Sequence, residues 1–245
     1  MRGIYGGYGM MYWDSTYILV LIGVIICMLA SAKVNSTVRK YSKVRSMAGL
    51  TGAMAAERML QQAGIHGVSV RRVSGKLTDH YDPRTKTVNL SDGVYDSASV
   101  AAVGIACHEC GHAIQDDRAY FPLTLRSTMV PVVNFGSTLS WPMILLGILF
   151  GGMSAQSNIG YWLIQLGIIF FSLAVIFQLV TLPVEFNASK RALNMIAATG
   201  MLSDEESRYT RKVLTAAALT YVASAAAAIL QLLRLVILFG GRRRD

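Results

Sequence analysis

Five consecutive residues carry the strongest chemical signal in the chain: His108-Glu109-Cys110-Gly111-His112. In a helix, residues four apart lie on the same face, so the two imidazoles can point at one metal ion. Glu109 falls on the flank of that face, where it can take a proton from a water that the metal polarises. The spacing predicts a zinc site with His108 and His112 as ligands and Glu109 as the general base.

Two cysteines, Cys107 and Cys110, flank the first histidine in a C-x-x-C pattern. On a helical wheel both lie opposite the face that carries the two histidines. In a reducing compartment such cysteines are most simply small core residues, and not a redox or thiolate zinc pair. We therefore predict that both pack in the core. Since Cys27 is the only other cysteine, the chain is not a disulfide scaffold.

A catalytic zinc usually has three protein ligands, and the motif supplies two of them. A third histidine six residues after His112 is excluded because Arg118 stands there. Among distant acids Glu185 stands out, because it lies where an apolar segment ends and a new helix is expected to begin. Position alone does not exclude the other candidates, which are His66, His80, Asp116 and Asp117.

Composition indicates that the chain carrying this site is a membrane protein. The chain of 245 residues is 53% hydrophobic and 15% charged, against about 45–50% and 25% in a typical soluble domain. Its mean hydropathy is +0.44. These values exclude a disordered chain, a basic nucleic-acid-binding domain and an ordinary soluble enzyme. The net charge of +9 is therefore expected to face a membrane surface, with no nucleic acid as partner.

Four segments are apolar enough to cross a bilayer, which needs about 20 residues each. They are residues 17–32, 129–150, 159–182 and 213–239. The uncharged link 151–158 makes the second and third segments a transmembrane hairpin. Basic residues follow the first segment directly, so we interpret it as an uncleaved anchor and not as a signal peptide.

The basic residues also predict the orientation. Residues 33–128 and 183–212 carry 18 Lys and Arg, whereas the opposite side carries four. Cytoplasmic loops are the ones enriched in Lys and Arg, so these two segments are expected in the cytoplasm. The terminal run at 242–244 fits this less well, and whether the last helix crosses completely stays open.

The polar segment 33–128 reads as a small α+β domain. A basic amphipathic helix is expected over 33–47, followed by a helix that begins after Thr51 and ends at Gly64. Alternation predicts a strand over 67–73, and a turn at 82–85 predicts a hairpin over 77–90. Ser97 or Ser99 then caps the helix that carries the histidine motif.

The whole chain is thus predicted to be a mainly α membrane protein with about four transmembrane helices and a small cytoplasmic domain. The expected units are listed in chain order: the N-terminus and first helix (1–32), the segment with the histidine motif (33–128), the hairpin (129–182), a cytoplasmic helix (183–212), and the last membrane helix with its basic tail (213–245).

Two stretches carry a resemblance to a known family: SVAAVGIACHECGHAIQ at 99–115 and PVEFNAS at 183–189. With the order of the apolar segments, they resemble the YugP-type membrane zinc metallopeptidases over nearly the whole chain. More distantly they are similar to the HtpX and CAAX-prenyl endopeptidase group. The resemblance implies a zincin-like domain of the gluzincin type, with His108, His112 and Glu185 as zinc ligands and Glu109 as general base.

One position departs from that pattern. Gluzincins place an Asp four residues after the ligand Glu to orient a zinc histidine, and this chain has Ser189 there. Ser189 or Asn187 must then supply that contact. His80 or Tyr81, on the hairpin, is a candidate to contact substrate or the oxyanion, with residues 77–81 as the edge strand on which an extended substrate pairs.

The predicted function is a membrane-integrated, zinc-dependent metalloendopeptidase that holds one zinc ion per chain and acts on peptide or protein substrates. Its site is expected on the cytoplasmic side of the cell membrane, with the lipid bilayer as its other partner. The alternative is a zinc-binding membrane interaction protein without catalysis. Glu109 argues against that alternative, since binding a metal does not require it.

Overall fold

The structure is a computed structural model that describes residues 14–150 and 158–240. The helices are α1 (Tyr17–Tyr41), α2 (Gly52–Gln62), α3 (Asp92–Tyr95), α4 (Val100–Asp117), α5 (Phe121–Leu149), α6 (Asn158–Thr199) and α7 (Asp204–Phe239). The strands are β1 (Ser69–Val73), β2 (His80–Asp82) and β3 (Thr87–Ser91). The link predicted at 151–158 falls almost entirely outside the described residues, as does the basic tail.

Four helices, α1, α5, α6 and α7, are long and apolar enough to cross a membrane, as predicted. They pack in the pairs α5 with α6, α1 with α7, and α6 with α7. Large apolar side chains stay exposed along all four, among them Leu29, Phe135, Trp162 and Val236. Such exposed apolar surface is stable in lipid and not in water, so this part of the chain belongs in a bilayer.

All four of these helices extend beyond the apolar segments that the sequence predicts, and in α1 and α6 the extension replaces a separate predicted helix. The basic helix expected over 33–47 is not a separate element, because α1 continues without a break to Tyr41. The new helix expected near Glu185 is also wrong: α6 is continuous for 42 residues and includes Pro183. Proline removes one N–H donor, but membrane helices packed on neighbours tolerate that loss.

The sheet has the order β1-β3-β2, which places β2 at an edge. The predicted hairpin is confirmed, since β2 pairs antiparallel with β3. β1 pairs parallel with β3, an arrangement that the local pattern did not predict. The central strand β3 is buried along its whole length, because α4 packs against it.

Helix α4 is the centre of the polar domain. Its N-cap is Ser99, whose hydroxyl accepts the N–H of Ala102 at 3.2 Å, and Thr51 caps α2 in the same way, as predicted. α4 contacts α2, α6, α7 and the sheet, and nearly all of its residues are buried. The helix that carries the histidine motif is therefore held on several sides.

Candidate metal centre

Three side chains that can ligate a metal converge between α4 and α6. His108 and His112 lie one turn apart on α4, and Glu185 lies on α6; their ligand atoms are all within 4.8 Å of one another. Nε2 of His108 is 3.3 Å and Nε2 of His112 is 3.5 Å from the same oxygen, Oε2 of Glu185. Within residues 14–150 and 158–240, this is the one such group.

Burial makes this cluster suited to a cation. Glu185 is 3% exposed and His112 is 8% exposed. A buried carboxylate needs compensating positive charge. Burial by itself lowers the pKa of His112, but the hydrogen bond to Glu185 and the nearby charge of Glu109 outweigh it and raise that pKa. Two imidazole nitrogens and one carboxylate oxygen are also a donor set typical of catalytic zinc. The residues therefore fit the metal.

The other nitrogen of each imidazole is held by a neutral oxygen. Nδ1 of His108 lies 3.1 Å from Oγ of Ser189, and Nδ1 of His112 lies 3.0 Å from Oε1 of Gln115. When Nδ1–H donates to such an acceptor, Nε2 carries the free lone pair that a metal needs. Both rings are thus oriented for ligation through Nε2.

Gln115 also joins the two helices. Its amide nitrogen donates to the carbonyl of Val184 at 2.8 Å and to Oδ1 of Asn187 at 3.0 Å. Asn187 therefore reaches His112 only through Gln115, whereas Ser189 contacts a histidine directly. Sequence reasoning missed Gln115, although its position three residues after His112 on the same helix face was a usable signal.

Arg126 holds the second oxygen of Glu185. Its guanidinium donates to Oε1 at 3.0 Å, which leaves Oε2 facing the two histidines. Arg126 comes from the beginning of α5, and no local pattern marks it, because its position depends on how α5 packs against α6. The contact fixes the orientation of the carboxylate and balances its charge.

Glu109 lies beside the cluster and outside it. Its Oε2 accepts the backbone N–H of Tyr81 on β2 at 3.0 Å, so the sheet orients this carboxylate. Glu109, His108 and Glu185 line one wall of a cavity of about 260 Å³. Tyr221 of α7, which no sequence signal indicated, also lines this cavity.

Most of the remaining lining of this cavity is apolar, and Asp79 and Thr220 are polar members of it. The apolar part is formed by side chains from three helices, including Val34 and Val38 of α1, Ile105 of α4, and Leu214 and Ala218 of α7. The charged groups of the centre therefore face a surface that is largely, but not wholly, apolar.

The other third-ligand candidates lie apart from this cluster. His66 is exposed after α2. The ring of His80 is 2.8 Å from the carbonyl of Thr78 and 3.2 Å from the amide of Asn89. Asp116 accepts from Lys86 and from the hydroxyl of Tyr81, and Asp117 lies 3.5 Å from Arg118. Of the candidates, the structure brings only Glu185 to the histidines.

The side chains of His80 and Tyr81, the residues expected to contact substrate, bond to other residues of the chain. The hydroxyl of Tyr81 donates to Asp116 at 2.7 Å, and burial together with this bond raises the pKa of Tyr81. Only its backbone N–H is directed at the centre. A contact between substrate and His80 or Tyr81 stays a prediction.

The two motif cysteines are core residues, as predicted. Cys107 and Cys110 are both completely buried in the main hydrophobic core. Burial raises the pKa of the Cys107 thiol to about 12 and that of Cys110 well above its ordinary value. Both therefore stay protonated near neutral pH and do not offer a metal a thiolate.

Comparison with known proteins places the chain. The profile of a family described as "putative neutral zinc metallopeptidase" matches residues 16–240. The chain belongs to this zinc metallopeptidase family. It is also 48% identical over 210 residues to the "putative membrane protease YugP" of Bacillus subtilis (strain 168), an alignment that covers 86% of this chain and 90% of that protein. No solved structure matches the chain.

These findings confirm the resemblance to the YugP-type family. They indicate a membrane protease that uses zinc, and the cluster of His108, His112 and Glu185 between α4 and α6 could hold a metal ion.

One glycine permits the contact that assembles the centre. A Cβ at Gly111 would lie 2.5 Å from the carbonyl oxygen of Ala188, a backbone atom of α6. We expect Gly111→Ala to force α4 and α6 apart, to lower the free energy of unfolding by about 1–3 kcal/mol, and to weaken zinc binding. Thermal unfolding in detergent and metal analysis of the purified protein measure both effects.

The matched control is Gly93→Ala on α3, where an added Cβ meets nothing within 4 Å. It should keep the wild-type unfolding midpoint and zinc content. A Gly111→Ala variant that also keeps both would contradict the role given to this contact.

Proposed function

We propose that the protein is a membrane-integrated zinc metalloendopeptidase in which His108, His112 and Glu185 hold one zinc ion and Glu109 is the general base. The observation that carries the proposal is the convergence of two Nε2 atoms on one oxygen of Glu185, with Glu109 on the same cavity wall. The family and its membrane relative support the same chemistry.

Zinc bound by these residues would lower the pKa of a water molecule to near 7 and polarise the scissile carbonyl. Glu109 accepts a proton from the water as its oxygen bonds to the carbonyl carbon. The same carboxyl then gives the proton to the leaving amine as the C–N bond breaks. The N–H of Tyr81 keeps Glu109 directed at the cavity through both steps.

The neighbouring residues have positioning roles in this proposal. Ser189 and Gln115 hold the two imidazoles, and Arg126 holds Glu185 so that one oxygen stays directed at the histidines. Outer contacts of this kind typically change metal affinity or activity by about 10–100-fold. The chain uses neutral Ser189 in the place where gluzincins use an Asp.

Substrates are peptides or proteins, and the site belongs on the cytoplasmic side of the cell membrane. Glu185 follows the apolar segment 159–182 by about 5 Å of helix, so the centre lies close to the membrane surface. The excess of Lys and Arg in residues 33–128 and 183–212 supports the cytoplasmic assignment.

The ligand set is tested by metal content. Wild-type protein should carry about one zinc per chain, and Glu185→Ala should bind zinc more than about tenfold more weakly, because one of three ligands is lost. Glu57→Ala is the matched control, since Glu57 is exposed on α2. Full zinc retention in Glu185→Ala would mean that His80 or an aspartate, and not Glu185, is the third ligand.

The general base is tested by Glu109→Gln. The side chain keeps its shape and the three ligands are untouched, so zinc content should be unchanged. Chelator-sensitive cleavage of an unfolded test protein should fall about 10²–10⁴-fold, whereas Glu57→Gln should cleave normally. Equal activity in Glu109→Gln would remove Glu109 from the mechanism, and a wild-type protein that cleaves none of the substrates would favour the non-catalytic alternative.

The orientation is tested by labelling single cysteines in a background without Cys27, Cys107 and Cys110. A cysteine at Arg71, exposed on β1, should react with an impermeant thiol reagent only after lysis. A cysteine at Ser154, in the link outside the described residues, should react in whole cells. The link joins the two crossings of the predicted hairpin, so it is expected on the side of the membrane opposite to His108 and Glu185.

Labelling of both positions from the same side would contradict the hairpin. Exchange of the two sides would leave the chemistry intact and overturn only the cytoplasmic assignment.

A further inference from the structure

A second large cavity lies between α1 and α7, on a different face of this helix pair from the metal centre. It is a groove of about 630 Å³ and shares no lining residue with the cavity of the centre. The buried side chains of Tyr41 and Ala216 form part of its floor. Its rim carries four exposed cationic residues: Lys33, Lys40, Arg211 and Lys212.

The groove is uniformly positive. Its lining contains no carboxylate. Among the described residues, none of the four cations forms a salt bridge. The carboxylate of Glu205 accepts a hydrogen bond from the hydroxyl of Tyr209. Like charges held together repel one another, so an anion in the groove would stabilise the folded chain.

Two of the four cations, Lys40 and Lys212, also contact aromatic rings. Tyr41 and Tyr209 stack with their ring centroids 5.1 Å apart, and they join the two helices across the groove. Nζ of Lys40 lies 5.4 Å from the ring of Tyr41, and Nζ of Lys212 lies 5.9 Å from the ring of Tyr209. Cation–π contacts of this kind restrict where the two ammonium groups lie.

The position of the groove identifies its ligand. The apolar part of α1 ends just before Lys33, and the apolar part of α7 begins just after Lys212. The cations therefore lie at the level of the lipid headgroups, and Leu219, further along the apolar part of α7, also lines the groove. We propose that this groove binds the phosphate headgroup of an anionic phospholipid, with its acyl chains along α1 and α7.

This ligand fits better than an acidic peptide. A peptide would need only the cationic rim, whereas a phospholipid uses the rim and the apolar end of the groove together. Because α1 and α7 also form walls of the cavity beside the metal centre, a bound lipid would hold two of its walls together. The site itself does not depend on the proposed peptidase activity.

The test uses the full chain in neutral detergent and native mass spectrometry to count bound lipid. Phosphatidylglycerol should bind more tightly than phosphatidylcholine. The double variant K40Q/R211Q should bind phosphatidylglycerol about 25-fold more weakly, since one cation near an anionic headgroup contributes about fivefold. The control K43Q/R208Q removes the same charge from exposed residues outside the groove and should stay within about twofold of wild type.

The thermal unfolding midpoint of each variant in detergent reports whether the fold is intact. Equal binding of the two lipids, or equal losses in both double variants, would overturn the proposal, because the attraction would then be that of a general basic surface. Displacement of phosphatidylglycerol by inorganic phosphate at a similar concentration would show a free anion site, and displacement by polyglutamate alone would show a peptide site. Either result would also overturn the lipid assignment.

Discussion

The backbone contact between Gly111 of α4 and Ala188 of α6 sets the distance across which the centre is built. A side chain at position 111 would collide with the Ala188 carbonyl, so the two helices approach at the limit that backbones allow. This approach brings Glu185 and Ser189, three residues before and one after Ala188, to the two histidines. Gln115 then bonds α4 to α6 one turn further along.

Helix α6 links that contact to the membrane. Its 42 residues span about 63 Å, about twice the 30 Å core of a bilayer. Because the helix is continuous through Pro183, the depth of its apolar part fixes the height of Glu185 above the membrane. The cavity beside the centre is accordingly walled by α1 and α7, helices that also cross or enter the lipid.

Sequence predicted the parts of this structure that local spacing determines. The motif, a serine cap at Ser97 or Ser99, the β2–β3 hairpin and the four apolar helices each follow from neighbouring residues. Sequence position indicated Glu185 only as one candidate among several, because a distant ligand depends on helix packing. Arg126 and Tyr221 had no signal for the same reason. The ends of α1 and α6 were misjudged because a change from apolar to basic residues, or one proline, marks a membrane boundary without ending a helix.

Both imidazoles of the centre are held by neutral oxygens, and one of these belongs to Ser189, at the position where gluzincins carry an aspartate. Ser189 and Gln115 orient the rings without adding charge, so Glu185, Glu109 and Arg126 are the charged groups in contact with the centre. Arg126 already balances Glu185 through its other oxygen. An aspartate at 189 would add a further negative charge beside His108 at a partly buried position, and burial makes such a charge costly. The serine therefore suits a centre whose carboxylate is compensated by an arginine from α5, and the proposed ligands would still offer two nitrogens and one oxygen to zinc.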